Sequence, residues 1–165
     1  MINQRSLLSM TAVGLIFSCA TGIAKADETL KFRAVLHATF AQSQDVGDVD
    51  GHTMSLARYS GLTSFPDGTT GTGYFVATTD YIKGAGTFWV YNNLTLNDGS
   101  VLWYKSTGAT TMDGTTSRFQ GTVTVLGGKG KYEGAKGDGT VTGARTVPLS
   151  AGADLYNDLV INIKK

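Results

Sequence analysis

The sequence predicts an all-β fold in which antiparallel strands follow one another along the chain. Beyond residue 26, no stretch repeats its apolar residues with a helical period, and β-branched and aromatic residues recur in short runs. Gly, Asp and Asn separate these runs, which is typical of strands joined by tight turns. The chain has 165 residues, which is enough for one domain with a substantial core.

The N-terminus is typical of an export signal. Arg5 precedes an apolar stretch over 7–17, and Ala24-Lys25-Ala26 matches the small-x-small pattern that signal peptidases cleave. The stretch is shorter than the ~20 residues that span a bilayer. We therefore expect a signal peptide over 1–26 and a domain over 27–165 that is exported to the periplasm or the cell exterior. The alternative, an ordinary N-terminal helix, finds no apolar partner downstream.

Cys19 is the only cysteine of the chain and lies within the predicted signal. A cysteine at this place can be lipidated and anchor an exported protein to a membrane. Phe17 is unfavourable for that processing site, so we favour simple cleavage. The exported domain is then expected to have no disulfide and no thiol nucleophile.

Charge and motif content exclude several function classes. The domain after residue 26 has nearly equal numbers of acidic and basic residues, so nothing favours nucleic acid or an anionic membrane surface as a partner. His37 and His52 are the only histidines, and no H-x-x-x-H or C-x-x-C spacing is present, so we predict no metal site. Without a G-x-S-x-G motif, a Ser-His-Asp arrangement is not supported.

Strands and turns alternate regularly along the predicted domain. Eight strands are expected, over 29–41, 52–65, 69–79, 84–96, 100–109, 117–125, 137–144 and 155–163. Tight turns are indicated at Pro66-Asp67-Gly68, Asn97-Asp98-Gly99 and Asp113-Gly114. Strands joined by such short turns must pair antiparallel.

The first and last strands each show one apolar face and one polar face. In the first strand the predicted apolar face consists of Leu30, Phe32, Ala34, Leu36, Ala38 and Phe40. In the last strand it consists of Leu155, Leu159, Ile161 and Ile163. One buried and one wetter face is the pattern of a barrel or sandwich strand.

The fourth and fifth strands are apolar on both faces. Phe88 and Val90 alternate with Trp89 and Tyr91, while Leu102 and Tyr104 alternate with Val101 and Trp103. We expect one face to fill the protein interior and the other to contact a neighbouring subunit, because large aromatic residues are favoured at such interfaces. A homo-oligomer is therefore predicted.

A glycine-rich segment over 125–137, with the sequence VLGGKGKYEGAKG, carries a family resemblance. A strand ending in G-G-x-G, followed by an aromatic residue and then Ala-x-Gly, resembles a signature of plant allene oxide cyclases, dirigent proteins and their bacterial relatives. Val46-Gly47-Asp48, the segment 70–75 and Gly99-Ser100-Val101 agree in order. A phosphate-binding loop, the alternative for this segment, needs G-x-x-x-x-G-K with Ser or Thr at the start of a helix, and no helix is predicted here.

The resemblance implies an eight-stranded up-and-down β-barrel that is usually trimeric. Its cavity would shape a reactive apolar intermediate and steer its cyclisation or coupling, without metal or organic cofactor. The chain would then be a cofactor-free isomerase or cyclase-like protein, or a binding protein for an apolar small molecule.

Candidate site residues come from the polar and aromatic positions of the strands. His37 is the candidate proton-handling group and Tyr104 the candidate hydrogen-bond donor in any chemistry. Candidate ligand-binding residues, which would line a cavity mouth, are Arg58, Tyr59, Tyr74, Trp89, Tyr91 and Trp103. Each has a plainer interpretation, as a surface histidine or as core and interface aromatic residues.

Two functions therefore stand against each other. One is a small-molecule-binding barrel that steers a reaction, and the other is a non-catalytic secreted scaffold or partner-binding barrel. A continuous internal cavity of several hundred Å³ would favour the first, and an interior packed with side chains would favour the second.

Overall fold

Eight antiparallel strands close into a barrel in the computed structural model, which describes residues 27–164. The strands are β1 (Glu28–Asp45), β2 (His52–Ser64), β3 (Thr70–Ile82), β4 (Ala85–Leu96), β5 (Val101–Asp113), β6 (Thr116–Lys129), β7 (Lys136–Arg145) and β8 (Asp154–Lys164). Each pairs with its successor, and β1 pairs with β8. The predicted all-β, up-and-down barrel is confirmed. The predicted signal peptide lies outside the described residues.

The connections fall alternately at the two ends of the barrel. We call the end that holds the turns 65–69 and 97–100 and the connection 130–135 the lower end. The upper end holds the other loops, among them 46–51 and 146–153. The helical content of residues 27–164 is a 3-10 turn over Gly130–Tyr132, and no helix in that part of the chain is long and apolar enough to cross a bilayer.

The predicted tight turns are confirmed by their hydrogen bonds. Asp67 Oδ1 accepts a hydrogen bond from the Thr69 amide at 2.9 Å, and Asp98 Oδ1 accepts one from the Ser100 amide at 2.8 Å. Gly68 has a φ of 84°, a conformation that side chains disfavour. These local bonds explain why the aspartate-glycine pairs mark the strand ends.

The glycine-rich segment turns the corner from β6 to β7 and closes the lower end. A β-bulge in β6 leaves Leu126 without a partner on β5, and the chain then enters the 3-10 turn. Tyr132 from that turn is fully buried over Gly128, where a Cβ atom would overlap Tyr132 and the Val101 carbonyl. Glycine at 128 is therefore required for the corner to pack.

The lower half of the barrel is filled by side chains. Its core consists of Leu30, Phe32, Leu96, Leu102, Tyr104, Val123, Val125, Ile161 and Ile163, together with further apolar residues of the same cluster. Phe65, from the turn 65–69 between β2 and β3, packs on Phe32 with ring centroids 5.3 Å apart. Packed side chains therefore fill the interior at this end of the barrel.

One predicted inward position is wrong. Phe40 was expected on the apolar face with Ala38, but a β-bulge at Thr39 shifts the register, so that Ala38 pairs with Tyr59 and Phe40 pairs with Arg58. A bulge moves every following residue to the opposite face. Phe40 therefore lies outside, with the Arg58 guanidinium carbon 4.8 Å from its ring centroid.

The two-sided pattern of β4 and β5 is confirmed. Phe88, Leu102 and Tyr104 are buried inside, whereas Trp89 and Trp103 are exposed on the outer face. We call the exposed set of Trp89, Tyr91 and Trp103 the outer aromatic surface.

Candidate functional site

A cavity lies in the upper half of the barrel, between the core of the lower half and the upper loops. Its volume is about 50 Å³, and its apolar walls come from Phe75, Phe88, Phe119, Val141, Leu155 and Leu159. Pockets that enclose a small molecule usually measure about 300–1,000 Å³. In this conformation the interior is mostly filled, which is the observation that favours a scaffold over an open ligand site.

A second, larger recess of about 280 Å³ opens above this cavity at the upper end. We call this recess the mouth; its walls include Ser43, Met112 and Pro148. Tyr81, Arg145 and Leu149 line both the mouth and the cavity. These three side chains, which we call the partition, separate the two spaces.

Arg145 brings a positive charge into the barrel. It is the last residue of β7 and is 6% exposed. Its Nε donates to the Val147 carbonyl at 2.8 Å, and one Nη donates to Ser117 Oγ at 3.4 Å. Its guanidinium carbon lies 5.7 Å from the centroid of the Phe119 ring. Within residues 27–164, no carboxylate forms an ion pair with it.

Within residues 27–164, no acidic residue lines the cavity or the mouth. Several carboxylates of the upper end pair with other cations on the surface, among them Asp113 with Arg118 at 3.1 Å. Asp50 likewise pairs with Lys83 at 3.1 Å. The interior charge of Arg145 is therefore balanced by none of these side chains.

Two buried hydroxyl groups of the cavity wall have no hydrogen-bond partner among the described residues. They belong to Tyr59 and Thr79, which are 2% and 5% exposed. Burial raises the pKa of Tyr59. The charge of Arg145 opposes that rise, and so does a polar contact between its guanidinium and the hydroxyl, which falls short of hydrogen-bond geometry. Native interiors rarely leave such groups unsatisfied, so both hydroxyls are available to a ligand.

The side chains of Tyr81, Asn92 and Ser106, which also line the cavity, form hydrogen bonds with neighbours. Tyr81 Oη and Thr110 Oγ1 share a hydrogen bond of 2.6 Å. Asn92 Nδ2 donates to the Val90 carbonyl and to Ser106 Oγ, both at 3.3 Å. Burial also raises the pKa of Tyr81, so its hydroxyl stays protonated near neutral pH.

The two predicted catalytic residues lie on opposite faces of the barrel wall. Tyr104 is buried in the lower core, 6.5 Å from the Phe32 ring centroid, and its burial raises the pKa of the hydroxyl far above the usual value. His37 lies outside, where its Nδ1 donates to Asp154 Oδ1 at 2.8 Å and its side chain is 57% exposed. The structure does not bring them together.

Among the predicted ligand-binding residues, Tyr59 lines the cavity. The others, Arg58, Tyr74, Trp89, Tyr91 and Trp103, occupy outward positions of β2 to β5 and do not line it. Two of them contact lysines: Lys105 Nζ lies 5.8 Å from the Tyr91 ring centroid, and Lys129 Nζ lies 5.8 Å from that of Trp103.

Sequence reasoning missed Arg145, Thr79 and Tyr81. Alternation along β7 from the inward Val141 places Arg145 on the same face. The predicted strand ended at 144, one residue before it. Extending the strand by one position would have indicated a buried arginine.

His52 joins the loop 46–51 to the barrel at the upper end. Its Nδ1 donates to Asp48 at 2.5 Å and its Nε2 donates to Asp80 at 2.8 Å. The hydrogen bond to Asp80, followed by that to Asp48, raises the pKa of His52, and the hydrogen bond from His52 lowers the pKa of Asp48. Among residues 27–164, no three His, Cys, Asp or Glu side chains group as metal ligands.

Comparisons with known proteins give structural neighbours only. No protein-family model matches the chain, and no curated protein sequence matches it. Two solved structures of pterocarpan synthase dirigent proteins are similar to it. The first is 12% identical over 98% of both chains, with a TM-score of 0.49. The second is 13% identical over 86% of this chain and 96% of its own, also with a TM-score of 0.49.

Both neighbours are dirigent proteins, one of the families that the segment 125–137 resembles. The barrel itself is established by this chain's own strand pairing.

Removing the unpartnered hydroxyl of Tyr59 should stabilise the protein. A buried hydroxyl without a hydrogen bond costs roughly 1–3 kcal/mol, so we expect Tyr59→Phe to raise the free energy of unfolding by about 1 kcal/mol. Tyr81→Phe is the matched control and should lower it by about 1 kcal/mol, because Thr110 loses its partner. Urea unfolding measures both, and a clear loss of stability in Tyr59→Phe would contradict the assignment.

The His52 contacts predict a pH dependence of stability. Because the folded-state pKa of His52 is raised, its contribution is fully present below the unfolded value of about 6.5 and is lost as the pH rises through the folded value. Thermal unfolding of the wild type should therefore lose this contribution as the pH rises above about 6.5, relative to His52→Gln. Parallel curves for wild type and His52→Gln would refute the prediction.

Proposed function

We propose that residues 27–165 form an exported barrel that binds a small, largely apolar molecule in its upper half. The barrel would steer cyclisation or coupling of that molecule by limiting its conformations. The observation that carries the proposal is a cavity whose walls are mainly aromatic and aliphatic and also include a few polar residues, two of which have hydroxyl groups without a hydrogen-bond partner among the described residues. This is the usual composition of a small-molecule site.

Binding requires the partition to move, because the cavity alone is too small. Leu149 belongs to the loop 146–153. Backbone hydrogen bonds hold the C-terminal end of this loop, among them Gly152 N to the Ala38 carbonyl at 2.9 Å, and the side-chain bond from Arg145 Nε to the Val147 carbonyl holds its N-terminal end. Between these anchors Leu149 contributes an apolar side chain to both spaces. Its displacement would join the cavity to the mouth.

The polar groups of the cavity support steering rather than acid–base chemistry. Among the described residues, its walls contain no His, Asp, Glu, Lys or Cys, and burial raises the pKa of its tyrosines, Tyr59 and Tyr81, above the ordinary value. Proton transfer near neutral pH needs a group whose pKa lies near that pH. The gain in rate would come from the held conformation and from the charge of Arg145. The catalytic roles assigned to His37 and Tyr104 stay predictions, since neither side chain lines the cavity.

A scaffold or partner-binding barrel is the second candidate. The filled lower half and the small cavity favour it, and so does the outer aromatic surface, which gives the barrel an apolar outer face. We propose a homo-oligomer that uses this surface; the family resemblance implies a trimer.

Filling the cavity tests ligand binding. Ala77 lines it, and Ala77→Leu would place an isobutyl group in the space a ligand needs. We expect the affinity for the ligand to fall about tenfold or more, which corresponds to a loss of ~1.4 kcal/mol in binding free energy. Native mass spectrometry of protein purified from its own host measures retained ligand, subunit number and cleavage after Ala26 together.

Ala109→Leu is the matched control, because Ala109 is exposed on the outside of β5. Two outcomes would contradict the proposal and favour the scaffold function: the wild-type protein carries no ligand, or the Ala77→Leu variant retains as much ligand as Ala109→Leu.

Charges on the outer aromatic surface should separate the subunits. We expect Trp89→Glu combined with Trp103→Glu to yield a monomer, because burying an unpaired carboxylate in an interface is strongly unfavourable. Size-exclusion chromatography with light scattering measures the mass. Leu62→Glu, at a more exposed apolar position of β2, should leave the oligomer intact. A wild-type monomer at micromolar concentration would refute the prediction.

A further inference from the structure

The buried charge of Arg145 indicates what kind of molecule enters the barrel. An isolated charge in an apolar interior is strongly unfavourable unless it is paired. We propose that the barrel binds an aromatic carboxylate, with its carboxylate group on Arg145 and its ring in the cavity. This inference rests on the proposed binding function and specifies its ligand class.

Arg145 has donors to spare for such a group. A guanidinium carries five N–H donors, and the hydrogen bonds of Arg145 within residues 27–164 use Nε and one Nη donor. The remaining Nη donors form the pair that a carboxylate meets in a bidentate contact. Because Arg145 lines both the cavity and the mouth, a ligand reaches it from outside once Leu149 moves.

Two hydroxyl groups of residues that line the same cavity provide further donors. The hydroxyls of Tyr59 and Thr79 are unpartnered among the described residues and line the same cavity. Arg145 is close enough to the Tyr59 hydroxyl for its positive charge to act on the pKa of that group, in the direction of a lower value. A carboxylate offers about four acceptor positions, more than one arginine fills. The surroundings of Arg145 thus suit an acceptor-only ligand group.

The charge and the walls narrow the ligand further. One guanidinium without an acidic neighbour balances one negative charge, so a monocarboxylate fits better than a phosphate monoester, whose charge approaches −2 at neutral pH. Phe75, Phe88 and Phe119 line the same space, and aromatic rings prefer to pack edge-to-face or offset against one another. A compact aryl ring therefore suits the cavity.

The experiment compares charged ligands with neutral ones of the same shape. Benzoate and phenylacetate are titrated calorimetrically at neutral pH and low salt against protein expressed from the full-length chain, and benzamide and phenylacetamide are titrated in parallel. We expect each carboxylate to bind the wild type at least about tenfold more tightly than its amide. The preference should also disappear as the pH falls below about 4, where the ligands become neutral.

Three variants test whether the preference for carboxylates over amides depends on Arg145. Arg145→Gln should remove it, and Arg145→Lys should retain part of it because the charge remains. Arg118→Gln changes an exposed arginine on the outer face of β6 and should keep the wild-type preference. Thermal unfolding checks the fold, and we expect Arg145→Gln to melt no lower than the wild type, since it removes an unpaired buried charge.

The outcomes separate the inference from the proposed function. Equal affinity of the wild type for carboxylates and amides, or a preference that survives in Arg145→Gln, overturns the carboxylate inference and leaves a binding barrel. If no probe of either kind binds, the carboxylate inference fails, and the retained ligand of the wild type, Ala77→Leu and Ala109→Leu decides the proposed function. A preference that disappears in Arg145→Gln and persists in Arg118→Gln supports the inference.

Discussion

Hydrogen bonding between β1 and β8 is the constraint on which the rest of the structure depends. The pairing runs from Glu28 opposite Ile163 to His37 opposite Asp154, and it leaves no open edge in the sheet. Closure also fixes which residues point inward, because side chains alternate across every strand. An eight-stranded barrel has an interior that side chains just fill or that holds one small ligand. This chain divides its interior between those two uses, with a packed lower half and a polar, incompletely filled upper half.

The two halves of the barrel differ in their contribution to the free energy of folding. The lower half buries large apolar side chains with few polar atoms, and such burial stabilises a fold by about 25 cal/mol per Å². The upper half holds Arg145, which has no acidic partner among the described residues, and two unpartnered hydroxyls. An unpaired buried ion is unfavourable by several kcal/mol. A barrel selected for stability alone would place an apolar residue at 145, so the arginine is the strongest sign of function in the interior.

Most of the fold could be predicted from sequence, because it depends on local signals. Aspartate-glycine turns and strict alternation gave the strands and their antiparallel pairing, and the glycine-rich segment gave the corner. The bulge at Thr39 could not be predicted, because Thr39 and its neighbours are not residue types that indicate a bulge. The alternation therefore placed Phe40 on the inner face. The site was harder. The candidate ligand-binding residues were chosen because they are aromatic, but Trp89 and Trp103 face outward. Predicting that Arg145 faces inward depended on where β7 ends, and strand ends are the least certain part of a sequence-based prediction.

The closing strand pair is tested most directly by nuclear magnetic resonance of the uniformly labelled domain. The account predicts cross-strand nuclear Overhauser effects between β1 and β8, such as those joining the backbones of Leu30 and Ile161, and slow hydrogen exchange of the amides that bond across this pair. Absence of these contacts, together with amides of β1 and β8 that exchange as fast as those of the loops, would show an open sheet and contradict the account.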